Sequence, residues 1–191
     1  MAQAARRIAV TGGPGAGKTT LWRALSMECA AELVAVPEVA TLMFHHIFPQ
    51  VSCSSEREAV QRAIFAVQKQ LESFHEARLK PGQVLLCDRG TPDGGGYWPS
   101  GHQDFFRCLE TTHEQELARY DAVLFMESAA LGGFSIAEGN HVRMEDLETA
   151  VEIDRRLRAV WGAHPHFVHV PHERDFQVKI ARGVEALNRV L

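Results

Sequence analysis

Thr11-Gly12-Gly13-Pro14-Gly15-Ala16-Gly17-Lys18-Thr19-Thr20 decides how this chain is read. Residues 12–19 satisfy the pattern GxxxxGK[ST] in full, between an apolar run at Arg7–Thr11 that reads as a short buried strand and a helix from Lys18 to about Glu32. Leu21, Ala24, Leu25 and Cys29 stripe that helix. Glycines let successive backbone N–H groups turn inward around a phosphate, and the helix dipole adds partial positive charge. Lys18 then reaches the β- and γ-phosphates, and the Thr19 hydroxyl is placed to ligate Mg²⁺. The expected ligand is ATP or GTP with Mg²⁺, contacted by Gly13, Pro14, Gly15, Ala16, Gly17, Lys18, Thr19 and Thr20.

The rest of the composition narrows what such a loop serves. With 191 residues, 46% hydrophobic and 23% charged, the chain reads as one domain over 1–191 and not as a disordered, collagen-like or coiled-coil polymer. Lys+Arg 20 against Asp+Glu 24 gives a net charge of −4, so a sequence-independent grip on nucleic acid has no electrostatic support. Apolar runs fall short of the roughly 18–20 residues of a membrane span, and Arg6 and Arg7 lead straight into the first strand without a signal-peptide core. A cytoplasmic protein is expected. Cys29, Cys53, Cys87 and Cys108 lack CxxC spacing, and His164, His166, His169 and His172 straddle a strand and a turn, so neither set reads as a metal site.

Along the chain, strands are expected at 33–36, 83–87, 122–126 and 167–170 besides the first. Helices are expected at 38–48, from Ser54 or Ser55 to about Leu79, at about 103–119, at 145–161 and from Phe176 onward. Strands alternating with helices imply an α/β fold, a parallel sheet covered on both faces. On the long helix, Val60, Ala63, Ile64, Val67, Leu71 and Phe74 form the expected buried stripe, with Gln61, Phe65, Gln68 and Glu72 on its flank. Gly94, Gly95 and Gly96 suggest a flexible rim.

Val84-Leu85-Leu86-Cys87-Asp88 is an apolar strand ending in a carboxylate, the layout in which an acidic group holds Mg²⁺ beside a phosphate loop. The next residue is Arg89, where hydrolytic motor ATPases usually place Glu. Asp88-Arg89-Gly90 resembles the Asp-Arg-Ser or Asp-Arg-Tyr of nucleoside and thymidylate kinases, whose Arg holds the acceptor. Glu38, after the second strand and Pro37, stands where nucleoside kinases carry the base for the acceptor hydroxyl; a carboxylate favoured by a helix N-terminus is the plainer alternative. Asn-Lys-x-Asp, the guanine-reading signature of signalling GTPases, does not occur.

Together with Pro37-Glu-Val-Ala-Thr41, Leu86-Cys-Asp-Arg-Gly90, Asp93, Tyr97, Tyr120-Asp121, Asn140-x-x-Arg143-x-Glu145, Asp154, Trp161 and His164-Pro165, the chain resembles one group over nearly its whole length. That group is the AAA, kinase-like P-loop domain shared by the nicotinamide-riboside kinase part of bacterial NAD regulators and the TRPL translocation defect protein. The resemblance implies a five-stranded sheet in the order 2-3-1-4-5 and phosphoryl transfer to a small acceptor such as a nucleoside or nicotinamide riboside. Lys18, Glu38, Asp88, Arg89 and Arg143 are then the catalytic set, with Arg143 in a lid at about 128–146, and Thr19 and Asp88 hold the metal. Phe65, Gln68, Arg89, Asp93 and Tyr97 are expected to meet the acceptor. The alternative is an ATP- or GTP-dependent regulatory module without kinase activity; a homodimer fits either.

Overall fold

The computed structural model describes residues 6–28, 31–133 and 146–191. Five parallel strands, β1 (Arg6–Thr11), β2 (Leu33–Val36), β3 (Val84–Asp88), β4 (Ala122–Met126) and β5 (Phe167–Val170), form one sheet in the order β2-β3-β1-β4-β5. The expected order is therefore the observed one. The inner strands β3 and β4 are buried on both faces, as a parallel sheet with helices on either side requires, while the edge strands β2 and β5 are partly exposed.

Successive residues alternate between the two layers. Ile8 and Val10 face the layer built by α1 (Lys18–Glu28) and α8 (Phe176–Asn188), packing with Leu21, Leu25 and Leu187. Ala9 faces the other layer, with Phe105, Tyr120 and Trp161. That layer holds α3 (Ser54–Glu76), α4 (Gly94–Tyr97), α5 (His102–Cys108), α6 (His113–Leu117) and α7 (Leu147–Trp161), while α2 (Val39–His46) leads from β2 toward α3. Among the described residues, no helix is long and apolar enough to cross a membrane.

Three expectations are corrected. The stretch 103–119 is two helices, because Glu110 takes a left-handed φ of 54° and breaks the chain between α5 and α6. On α3 Val60 is buried as expected, but the rest of the inward face is Gln61, Phe65, Gln68 and Glu72, the expected flank, while Val67 and Phe74 of the expected stripe are exposed. The reason is a set of distant polar partners described below. Gly94, Gly95 and Gly96 are no flexible rim but a buried helical turn. A Cβ at these three positions would come within 2.4 Å of Phe105, 2.8 Å of His102 and 2.6 Å of Leu157 respectively, so glycine is required there by close packing.

Gly96→Ala should accordingly lower stability by about 1–3 kcal/mol, the usual cost of overpacking. Denaturant unfolding checks this through a lower midpoint at unchanged slope.

Candidate active site

β1 and β3 end side by side, with Val10 opposite Asp88, and both run directly into functional loops. The loop after β1 turns through left-handed glycines, Gly15 (φ 70°) and Gly17 (φ 86°), and Ala16 N donates to Gly13 O at 3.3 Å. Lys18 is buried, its Nζ donating to Gly13 O at 2.8 Å, so the ammonium lies back along its own loop. Thr19 and Thr20 are exposed at the start of α1. Pro14 O accepts from Ser128 Oγ, and Gly13 N donates to Asp154 Oδ1 at 2.9 Å. The first residue of the expected lid, Ser128, is thus bonded to the phosphate loop, and Arg143 lies outside the described residues.

After β3 the chain makes a constrained turn. Arg89 has φ 71°, a left-handed conformation that costs a non-glycine residue about 1–2 kcal/mol. The turn is held from several sides. Arg89 N donates to Val10 O at 2.9 Å, Nε to Glu38 Oε1 at 2.5 Å, and Nη1 to Asp93 Oδ1 at 2.7 Å. Tyr97 places its ring 5.5 Å from the guanidinium. Burial works against the Arg89 charge, but Tyr97, Glu38 and Asp93 outweigh it and push its pKa further up. The remaining Nη2 is buried and has no hydrogen-bond partner among the described residues.

Asp93 is the hub of this turn. Its Oδ1 also accepts from Thr11 Oγ1 at 2.7 Å, and its Oδ2 from Gly90 N at 3.1 Å and Trp161 Nε1 at 3.0 Å. Glu38 sits at the N-cap of α2, but its side chain does not cap the helix; Oε2 accepts from Thr41 Oγ1 at 2.5 Å.

Beneath this lies the polar face of α3. Glu72, fully buried, accepts from Arg7 (3.0 Å), Arg119 (2.7 Å), Gln68 (2.8 Å) and Tyr120 Oη (2.6 Å). Burial, with Glu72 beside it, pushes Tyr120 well above its usual pKa, so the phenol stays a donor. Gln68 Nε2 donates to both Glu72 Oε1 and, at 3.3 Å, Arg89 O. These four-fold partners are why an apparently surface-like Gln-Phe-Gln-Glu stripe turns inward.

Phe65, Gln68, Arg89, Asp93 and Tyr97 line one cavity of about 500 Å³. Its walls are α2 (Val39, Thr41, Phe44), α3 (Val60, Gln61, Ile64, Phe65, Gln68), the turn after β3 and α7 (Thr149, Ile153). Thr41 and Arg89, which hold Glu38, belong to the lining. Asp93 has its carboxylate oxygens filled by protein donors, which makes it a holder of Arg89 more than a contact offered to a ligand. Sequence reasoning quoted Thr41, Asp154 and Trp161 only within the family motifs, Gln61 only on the flank of the long helix and residue 128 only as the start of the lid, and gave none of them a role of its own. The donors of a magnesium site are hard oxygens, and Thr19 and Asp88, both at this edge, are of that kind.

A family model described as an AAA domain matches residues 7–178. The chain belongs to that AAA-domain family. In fold this family member is similar to deoxyadenosine kinase from M. mycoides with bound dATP, at TM-score 0.66 and 16% identity over 96% of this chain and 99% of that one. The same enzyme with dCMP and a flexible dCDP gives TM-score 0.61 at 14% identity, again over 96% and 99%. NadR in complex with NAD and AMP-PNP gives TM-score 0.67 at 15% identity over 98% of this chain and 49% of NadR, so the chain spans about half of that protein. No curated protein matches. The expected kinship with kinase-like P-loop domains is borne out, and the AAA-family fold here is that of nucleoside kinases.

Glu72→Gln removes the buried carboxylate that Arg7 and Arg119 share, leaving them Glu76 and Glu116 respectively. It should cost on the order of 3 kcal/mol in denaturant unfolding, as breaking one side of a buried ion pair does.

Proposed function

We propose that this protein is a Mg²⁺-dependent small-molecule kinase that moves the γ-phosphoryl of ATP or GTP onto a hydroxyl of an acceptor held in the cavity beside Arg89. One observation carries the reading: a carboxylate (Glu38), a strained arginine (Arg89) with a buried unfilled donor, and a cavity of mixed apolar and polar lining meet at the sheet edge where β1 runs into the phosphate loop. A phosphate loop alone fits a switch or a motor as well. A second, walled cavity with its own polar groups fits a second substrate.

In this reading the loop backbone and Lys18 hold the triphosphate, and Lys18 trades Gly13 O for phosphate oxygens. Thr19 and Asp88 would hold Mg²⁺, which neutralises phosphate charge when bound. Glu38 accepts the proton of the acceptor hydroxyl, its carboxylate oriented by the bonds from Thr41 and Arg89. The acceptor oxygen then bonds to the γ-phosphorus as the bond to the bridging oxygen breaks and the nucleoside diphosphate leaves. Arg89 Nη2 donates to the acceptor or to the moving phosphoryl. The acceptor itself is a planar, nucleoside-like molecule such as a nucleoside or nicotinamide riboside, since Phe44, Ile64 and Phe65 supply flat apolar walls and the glutamines an edge.

ADP formation across a panel of nucleosides and related hydroxyl compounds tests the reading. Turnover should depend on one added acceptor, vanish in Lys18→Ala together with Mg·nucleotide affinity, and fall about a hundredfold or more in Glu38→Gln with nucleotide affinity kept. Saturable nucleotide binding without any acceptor-dependent turnover would sink it and leave the regulatory module.

The hydrogen-bond network also sets what Gln68 can read. Both amide hydrogens are committed, to a carboxylate and a backbone carbonyl, which fixes the O/N assignment and leaves Oε1 as the group offered to a ligand. The acceptor should therefore present an N–H at that point. Gln68→Leu should raise KM for an amine- or carboxamide-bearing acceptor about tenfold or more, with a much smaller change for an analogue carrying a carbonyl there.

A further inference from the structure

Helix α7 meets the phosphate loop through one side chain. Asp154 is 1% exposed, and its Oδ1 accepts from Gly13 N and from Ser128 N, both at 2.9 Å. Ser128, at the end of β4, in turn donates its hydroxyl to Pro14 O, so a carboxylate, a loop glycine and a strand end close a ring around the Gly13–Pro14 peptide. The contact is flush: a Cβ on Gly13 would lie 2.7 Å from Asp154 Oδ1 and 2.8 Å from its Cβ. Burial raises the Asp154 pKa, and the backbone donors Gly13 and Ser128 oppose that rise, as does the charge of Lys18. A second cation, Lys179 of α8, is buried at 1% exposure with its Nζ on Glu127 O; burial lowers it to about 8, while Asp154 and Glu127 favour its charge.

A buried carboxylate next to an anion site is the wrong charge for the ligand, so its presence calls for another reason. Gly13 is the junction of the loop: its N–H goes to Asp154, and its carbonyl accepts from Ala16 N and from Lys18 Nζ. Fixing that one residue fixes where the following amides and the lysine begin. We propose that Asp154 is a positioning residue for the phosphate loop, locking Gly13 in the conformation from which the loop takes a nucleotide. This rests on the reading that the loop binds a nucleoside phosphate.

The comparison that isolates the lock is Asp154→Asn against Asp154→Ala in the full chain. Both remove the charge equally, so any electrostatic gain from losing an anion cancels; only Asn keeps an oxygen that the Gly13 and Ser128 amides can use. Calorimetric titration with Mg·ADP should give a dissociation constant about tenfold or more weaker for Ala than for Asn, and the Gly13 amide should exchange with solvent faster in the ligand-free Ala variant. A general loss of packing would not single out that amide. Equal Mg·ADP affinity and equal Gly13 exchange in the two variants overturn the proposal. If Asp154→Ala does not fold, Ser128→Ala replaces it, cutting the ring at Pro14 O with the carboxylate in place; it should weaken Mg·ADP several-fold, and wild-type affinity overturns the proposal. If wild-type protein itself fails to bind Mg·ADP, the nucleotide reading fails, and Gly13 exchange alone decides the lock.

Discussion

Asp93 accepts four hydrogen bonds from donors that the chain brings from β1, from the turn after β3 and from α7. A carboxylate buried at 4% exposure is tolerable only when its lone pairs are filled, and filling them dictates the local geometry. Thr11 must end β1 with its hydroxyl toward β3. Arg89 must leave β3 in a left-handed turn, because only then do its N–H and guanidinium reach Val10 O, Glu38 and Asp93 together. The strain at Arg89 is offset by these charge-assisted bonds, and the site inherits a guanidinium with little freedom to move.

The cavity depends on the same logic one layer down. Gln68 links Arg89 O to Glu72, and Glu72 draws in Arg7 from β1 and Arg119 and Tyr120 from the approach to β4. A purely apolar α3 could pack onto the sheet, but it would seal the space that Phe65 and Gln68 line. The polar network holds the helix at the sheet while leaving Gln61 and Gln68 facing a void that a ligand can fill. Specificity and stability therefore draw on one set of residues.

This explains what could be read from the sequence and what could not. The phosphate loop, the five strands and the acidic end of β3 are encoded locally, in residues adjacent along the chain, so pattern reading reaches them. The inward face of α3 is not local: Glu72 finds Arg7 at a separation of 65 residues and Tyr120 at 48, and hydropathy alone placed that face on the flank of an apolar stripe. Gly94 to Gly96 failed for a related reason. Three glycines in a row look like slack, and only the positions of Phe105, His102 and Leu157 reveal that they are the sole residues thin enough to fit. Phe65 and Gln68 were singled out by their helical spacing and Arg89, Asp93 and Tyr97 by family resemblance, and the structure brings the five to one cavity, while the filled state of Asp93 needed coordinates.

One helix ties these parts into a single frame. Asp154, Leu157 and Trp161 lie at i, i+3 and i+7 on α7, hence on one face, about 10 Å from end to end at 1.5 Å per residue. Asp154 holds the phosphate loop at Gly13, Leu157 lies against Gly96, and Trp161 donates to Asp93. The neighbouring face, through Thr149 and Ile153, lines the cavity. A rigid helix is a better ruler between two sites than any loop, because its rise per residue sets the spacing without further contacts. The distance between the phosphate loop and the arginine that faces the cavity is thus built into the spacing of three side chains, and a shift of α7 by one turn would misplace both ends at once.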